Sequence, residues 1–439
     1  MMRLHLILIF ITHLIYSIKA ESGYFLQITD IHYDKYYHMN APTQCVDGLF
    51  SMTCCEKYSI PLPKTGHAQL WGDYNCDSPY NLINNTLKWI DMYTPPIDFI
   101  IWTGDSANHH LLTQTYNDNM DAVDEVTNLI KLYFPNITTY PTIGNHDSYP
   151  VDQFGSKIQI ASILDKYTEF WSDWLIDGKE TFSKYGFYSQ LINDQIKIIN
   201  LNCLIDDSNN IMGPLFSPHL SDIQSLWLIN ELENSLQINQ SVWLMSHIPP
   251  GSGEGTVNFT NRLVNIVKKY HSIIKNQFYG HTHDDQYLLY WDDTVSHVIG
   301  HAYISSSLVP KQRNPTFRVY EYDKETFEII NYYHYILNLT EVNRNNQFNY
   351  TLFYDAKQAY KLTDLSTSSW YKLAQTFESN ENLLNDYIFR YNAGYKNDSC
   401  QPQQCKIDYI CEILFIDKTL LNNCGQNFPP NKTRLLESF

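Results

Sequence analysis

Five short blocks in the 439-residue chain combine Asp, Asn and His at spacings suited to holding metal ions. They are TDIHYD (Asp30, His32), TGDSANHH (Asp105, Asn108, His109), TIGNHD (Asn145, His146), MSHIPPG (His247) and YGHTHDD (His281, His283). Asp30 and His32 are two residues apart, as are His281 and His283, so each pair shares one face of an extended strand end. Glycines directly before Asp105, Asn145 and His281 let the backbone turn sharply and approach closely. Two Asp, one Asn and four His make an oxygen and nitrogen donor set suited to zinc, iron or manganese. One such block alone means little, because lone histidines are usually core or surface residues. Five in order, each after a strand-length apolar run, point to a metal centre.

Those runs are the elements that must position the donors. Segments 24–29, 97–103, 138–143, 196–202 and 241–246 are short and rich in Ile, Val, Tyr and Phe, which predicts strands. Between them, Ser78-Pro79 reads as an N-cap and first helical residue opening a helix through Tyr93. Ser217-Pro218 opens another through Leu236. Strands alternating with helices imply a layered α/β fold with sheets covered on both faces. In such folds the loops at the carboxyl ends of strands converge on one crevice. After Asn338 the texture changes: 341–355 is polar and Asn-rich, which predicts a connecting loop, and 356–376 and 381–391 read as helices before a cysteine-rich tail. The expected organisation is a leader at 1–20, a catalytic domain at 21–340 and a small helical C-terminal subdomain at 341–439.

Composition narrows the partners. With 44% hydrophobic and 18% charged residues the chain has the makings of a large core. A formal charge of −17 argues against a nucleic-acid polymer as partner. Small phosphate esters stay open, because a metal pair reverses the sign of the field locally. Arg3 precedes an apolar run from Leu4 to Ile18 and Ala20 offers a small residue for cleavage, the pattern of an export signal and too short for a membrane span. Sequons at Asn84, Asn136, Asn239, Asn258, Asn338, Asn349, Asn397 and Asn431 agree with export. So do two clusters of four cysteines, Cys45, Cys54, Cys55 and Cys76, then Cys400, Cys405, Cys411 and Cys424, each sized for two disulfides and neither with paired CxxC units. A secreted, soluble, monomeric glycoprotein is expected, with the lysosome as the other destination.

The ordered set DxH, GD, GNH(D), H and GHTH resembles the calcineurin-like metallophosphoesterase superfamily. WTGDSANHH, PTIGNHDSYP, GHTHDDQ, NPTFRVYEYD and the cysteine pattern are similar, more narrowly, to the acid sphingomyelinase and sphingomyelinase-like phosphodiesterases, in a saposin-free form because the DxH strand follows the leader almost directly. The resemblance implies a four-layer sandwich of two mixed β-sheets flanked by helices, with a small disulfide-rich helical C-terminal subdomain. It implies two Zn²⁺ per chain: Asp30, His32 and His283 on one, Asn145, His247 and His281 on the other, and Asp105 bridging. It places His109 and His146 where they stabilise the phosphoryl group and protonate the leaving oxygen. It pairs Cys45 with Cys54, Cys55 with Cys76, Cys400 with Cys405 and Cys411 with Cys424, leaving Cys203 as a buried free thiol.

The implied activity is phosphodiester hydrolysis by a metal-bridging hydroxide, on sphingomyelin to give ceramide and phosphocholine or on related phosphodiesters. Nucleotides such as ATP or CDP-choline are the alternative substrates, with an endopolyphosphatase-like role behind them and a non-catalytic zinc module behind that. Transient contact with a membrane surface is compatible with a lipid substrate. Purple acid phosphatases carry a tyrosine ligand three residues after the bridging aspartate, where this chain has Asn108. His67, His271 and His334 read as ordinary core or surface histidines, His110 is set aside because adjacent residues point differently from one another, and His301 could approach the site from a strand-end loop.

Overall fold

The structure, a computed structural model, describes residues 21–45, 54–111, 113–395 and 403–427. The leader at 1–20, Asn397, Cys400 and Asn431 lie outside the described residues.

The chain runs β1 (Ser22–Ile28), α1 (Tyr80–Tyr93), β2 (Phe99–Trp102), α2 (Tyr116–Tyr133), β3 (Thr138–Pro141), α3 (Lys157–Phe170) and α4 (Lys179–Tyr185). It continues through β4 (Tyr188–Asn193), β5 (Ile196–Asn200), α5 (Met212–Phe216), α6 (Leu220–Gln237), β6 (Ser241–Met245), α7 (Val257–Tyr270), β7 (Ile274–Tyr279), β8 (Gln286–Trp291) and β9 (Val298–Ile304). It ends with β10 (Thr316–Asp323), β11 (Ile329–Ile336), α8 (Leu339–Asn345), β12 (Thr351–Asp355), α9 (Ala356–Tyr360), α10 (Thr367–Phe377), α11 (Glu381–Tyr391), α12 (Gln403–Leu414) and α13 (Lys418–Asn427). Two six-stranded sheets result, ordered β12-β11-β10-β1-β2-β3 and β4-β5-β6-β7-β9-β8. Both are mixed: β1, β2 and β3 are parallel, as are β5, β6 and β7, while β10 to β12 and β4 run antiparallel to their neighbours. No described helix is long and apolar enough to cross a membrane.

Strand periodicity sorts side chains between two faces, both buried. In β1, Phe25 points between the sheets while Leu26 and Ile28 point to the outer helices; in β6, Trp243 and Met245 point inward while Val242 and Leu244 point outward. The space between the sheets is aromatic: Phe25 stacks on Phe99 at 4.9 Å and on Tyr320 at 4.6 Å, and Trp243 packs against Phe278 at 5.4 Å. Residues of α1, α2 and α3 cover the outer face of the first sheet, and residues of α6 and α7 that of the second. Helix, sheet, sheet, helix: the four layers are present.

Three expectations about elements change. Segment 341–355 is not a connecting loop: it forms most of α8 and all of β12, which pairs antiparallel with β11 at the edge of the first sheet. Asparagines cap the helix at both ends, since Asn338 accepts the Glu341 N–H at 3.1 Å and Asn346 ends α8 at φ 52°, while Asn343 and Asn349 bond Trp71 and Trp89 of neighbouring segments. Segment 356–376 breaks into α9 and α10, because Lys361 turns left-handed at φ 56° and Ser366 starts a fresh cap. Helices α1 and α6 begin at Tyr80 and Leu220, one residue after Pro79 and two after Pro218, with no side-chain cap at either N-terminus.

The C-terminal helices share the inter-sheet core. Trp370 of α10 packs on Tyr287 of β8 at 4.6 Å, and Trp291 donates its indole N–H to the Leu414 carbonyl at the end of α12. Cys45–Cys54, Cys55–Cys76 and Cys411–Cys424 are joined, and Cys405 is disulfide-bonded. Cys203 is a free, buried thiol. Of the described sequon asparagines, Asn136, Asn239, Asn258, Asn338 and Asn349 are exposed and Asn84 is half-buried.

Candidate metal centre and active site

All five blocks meet at one end of the sandwich, beyond the carboxyl ends of β1, β2, β3, β6 and β7. The backbone there is bent into the left-handed region at Asp30 (φ 49°), His32 (45°), Asp105 (58°), His281 (74°) and His283 (62°). Five non-glycine residues held so in one cluster is strain that the surrounding fold must enforce, and such strain gathers at functional sites. Backbone bonds enforce it: Asp30 N–H reaches the Gly104 carbonyl at 3.0 Å and His32 N–H the Asp105 carbonyl at 3.0 Å. A side chain at Gly144 would collide with the Asp105 carboxylate, so that glycine is required for the close approach.

The seven donors fall into two groups about Asp105. In the first, His32 Nε2 lies 3.1 Å from His283 Nε2, and His283 Nε2 lies 3.4 Å from Asp30 Oδ1. In the second, Asn145 Oδ1 lies 3.0 Å from His247 Nε2 and 3.1 Å from His281 Nδ1. Asp105 Oδ2 sits between them, 3.4 Å from His32 Nε2 and 3.1 Å from His247 Nε2. Two rings are locked from behind: Nδ1 of His32 donates to the Ala107 carbonyl at 2.9 Å and Nδ1 of His247 to that of Thr103 at 2.6 Å, which leaves each Nε2 facing the cluster.

The electrostatics are those of a cation site. Burial opposes charge on Asp105, yet His247 and His146 outweigh it and hold its carboxyl well below the usual range. Burial likewise opposes charge on His247, but Asp105 and Asp30 draw positive charge to it and lift its pKa to about 10. Donor types, convergence and field together fit a pair of divalent metal ions.

Beside the donors stand His109 and His146. The His109 ring stacks on His32 at 3.8 Å and lies 4.6 Å from the His146 ring. Its Nδ1 donates to Asp77 Oδ1 at 2.6 Å and its backbone N–H to Asp77 Oδ2 at 2.9 Å, so Nε2 is the atom left to reach a substrate. Burial pushes His146 down to about 4, which keeps that imidazole neutral, and its Nδ1 is buried without a partner. Asn108 is turned away, bonding the His110 N–H at 3.1 Å and Gln114 at 3.2 Å, so nothing stands in the place of a tyrosine ligand. His67 and His271 are exposed, His334 is buried beside Arg318, and His301 is bonded to Thr367 and Tyr303, all apart from the donors.

Three acidic residues join the site that the motifs did not single out. Asp77 orients His109. Asp147 gathers the N–H groups of Gly144, Asp105 and Ser106 at 2.8, 2.9 and 2.7 Å, fixing the second and third blocks to each other; burial and the Asp105 charge raise its carboxyl to about 6. Glu254 places Oε2 3.3 Å from His281 Nε2, the outer carboxylate of a histidine ligand. The centre opens into a cavity of about 570 Å³, with Pro249 to Glu254 on one side and Tyr391, Glu412, Phe415, Ile416 and Leu421 of the C-terminal helices on the other.

Known proteins share these features. A model of the calcineurin-like phosphoesterases matches residues 23–285, and one of the acid sphingomyelin phosphodiesterase C-terminal region matches residues 294–428. The chain is 32% identical to Sphingomyelin phosphodiesterase A of Dictyostelium discoideum over 92% of this chain and 68% of that one. The chain belongs to the acid sphingomyelinase-like phosphodiesterases. It is 30% identical to Cyclic GMP-AMP phosphodiesterase SMPDL3A of Bos taurus, over 92% of this chain and 91% of that one. It is 31% identical to Sphingomyelinase phosphodiesterase C of Dictyostelium discoideum, over 90% and 91%. As a member of this family the chain is a hydrolase of phosphodiester bonds, with a two-metal centre on a metallophosphoesterase scaffold.

Proposed function

We propose that this phosphodiesterase is an exported zinc enzyme that cleaves singly charged phosphodiesters carrying a cationic head group, sphingomyelin foremost. The observation that carries the substrate class is the charge of the cavity: among the described residues no Lys or Arg lines it, while Glu254 does, as does Glu412, whose carboxyl burial raises to about 7. A polyphosphate or a nucleoside triphosphate needs cations beyond the metal pair, and the described wall offers none, Lys311 standing outside it at 4.0 Å from Asp77. One phosphodiester beside a quaternary ammonium suits it. A lipid needs an approach as well. Ile211, Leu215 and Phe216 stand 69%, 68% and 60% exposed on a segment tied to the cavity rim, where Ser208 N–H donates to the Glu254 carbonyl at 2.7 Å. That apolar rim supports contact with a membrane surface. The disulfides and exposed sequons support an exported protein.

Asp30, His32 and His283 would hold one ion, Asn145, His247 and His281 the other, with Asp105 shared. Bound there, zinc supplies Lewis acidity for water activation and for neutralising phosphoryl charge. The chain's own residues do the rest. His109, held by Asp77, delivers the proton to the departing oxygen through Nε2. Neutral His146 hydrogen-bonds a phosphoryl oxygen. The walls from the C-terminal helices keep the head group in place and water out.

A second reading, nucleotide phosphodiesters, is favoured by Tyr391 and Phe415 in the cavity wall, whose rings offer a face to a base. The test is hydrolysis at mildly acidic pH of sphingomyelin micelles, CDP-choline, ATP and a cyclic dinucleotide, with Asp105→Asn and chelated enzyme as blanks. Preference for sphingomyelin supports the first reading; preference for CDP-choline, ATP or the dinucleotide replaces it with the second.

A further inference from the structure

A second cluster of metal-binding side chains lies behind His109, made of residues outside the seven donors. Asp34 follows His32 by two positions, His110 follows His109, and Glu56 follows Cys55 of the Cys55–Cys76 disulfide. One ligand atom from each lies within 4.8 Å of the other two. His110 Nδ1 is 3.0 Å from Glu56 Oε1.

An ion pair between His110 and Glu56 would account for those two alone. It does not account for Asp34, which is 2% exposed. Its Oδ1 accepts the Tyr36 N–H at 2.9 Å and the Asn108 amide at 3.5 Å, whereas its Oδ2 is buried with no hydrogen-bond partner. A buried carboxylate oxygen left so is costly, and two carboxylates facing one imidazole leave negative charge uncompensated. A proton on Asp34, whose carboxyl burial pushes up to about 7, answers the first alone; a divalent cation answers both and takes in Glu56 and His110 as well. The far ring atom of His110, Nε2, stands 4.0 Å from Asp77 Oδ2, too far for a hydrogen bond but near enough for that carboxylate to add negative charge to the cluster.

We infer that Asp34, Glu56 and His110 form a third divalent-cation site, separate from the catalytic pair and of a donor set suited to zinc or manganese. Asp77 joins the two centres, because its other oxygen holds His109. The site also pins the disulfide loop bearing Glu56 against the loops bearing His32 and His109. It thus ties the early cysteine cluster, which the hydrolytic chemistry does not use, to the active site.

The experiment is metal counting on purified full-length protein equilibrated with Zn²⁺ and desalted. Glu56→Gln and His110→Gln are measured beside the unaltered protein, with circular dichroism melts showing that each variant folds. The expected result is one zinc fewer in each variant than in the unaltered protein. The difference between samples is the readout, so it stands whether or not the catalytic pair is fully loaded or the substrate reading holds. Equal zinc content in all three proteins overturns the inference. As a second measurement, anomalous diffraction at the zinc edge is expected to give a peak between the three side chains. Its absence from a crystal showing the catalytic pair overturns the inference too.

Discussion

Asp77 Oδ1 lies 2.6 Å from His109 Nδ1, and the same carboxylate receives the His109 backbone N–H. Main chain and ring are therefore held by one side chain, which fixes both where His109 stands and which nitrogen carries its outward face. Asp77→Asn is expected to lower kcat by roughly 10- to 100-fold, the usual effect of losing an outer carboxylate, while the catalytic metal pair stays bound. The decisive comparison uses two substrates. With a nitrophenyl leaving group, which departs without a proton, the defect is expected to shrink towards parity. An equal loss on both substrates would remove His109 from the role of proton donor.

Arg318 and Asp285 form the other buried relationship that the site depends on. Arg318 is fully buried in β10 and ion-pairs with Asp285, two residues after His283, and Asp285 also meets Tyr354 of β12 and His334 of β11. Arg318→Met leaves a buried carboxylate unpaired and is expected to cost about 3–5 kcal/mol of stability. Adding Asp285→Asn is expected to return part of that loss, since it removes the orphaned charge. Denaturant unfolding of both variants checks this, and a double variant as unstable as the single one would mean that packing, not charge, sets the cost.

What the sequence disclosed and what it hid follow from the range of the interactions. The convergence of the seven donor residues was legible because each lies within a few residues of a strand end, and Asp105, Asn145 and His281 directly follow a glycine, so short motifs hold the information. Asp77 was not, because it is brought to His109 by the fold across 32 positions and its own neighbours, a cysteine and a Ser-Pro turn, say nothing of histidine. Asn338 and Asn346 misled for a different reason: asparagine serves loops and helix caps alike, and only the following Thr351–Asp355 strand tells which. Arg318 did leave a trace. It sits on the same strand face as Tyr320 and Tyr322, and a lone charge on a face turned into the core must have a partner.

Metal removal is expected to abolish turnover and be reversed by zinc. Asp105 is the one donor within 3.4 Å of both histidine groups. Asp105→Asn takes away the shared charge and is expected to cut activity roughly 100-fold or more with partial loss of zinc. Each mononuclear variant, His283→Ala or His281→Ala, is expected to retain more metal than Asp105→Asn. Calorimetric zinc titration of the three checks the order. Greater loss from His283→Ala than from Asp105→Asn would place the shared position elsewhere.

Asp207 gives the fold a preference for acid. Burial, aided by the charges of Asp152 and Glu254, raises its carboxyl from 3.8 to about 7, and its Oδ2 is buried without a partner. The protonated form is the one the native state favours. Its contribution is whole below the unfolded value near 4 and is lost as pH rises through about 7. The loss builds at about 1.4 kcal/mol per pH unit between the two values, on the order of 4 kcal/mol, and is complete above about pH 7. Asp207→Asn keeps the acceptor that takes the Asn209 N–H at 2.7 Å and removes the titration. The variant is expected to gain steadily on the unaltered protein between about pH 4 and pH 7 and to keep a constant lead above that, in denaturant unfolding of zinc-loaded samples. Other groups titrate alike in both chains and cancel in the comparison. Parallel stability curves across that range would mean that water or backbone movement solvates Asp207, and the acid preference would then have to arise from the other raised carboxylates.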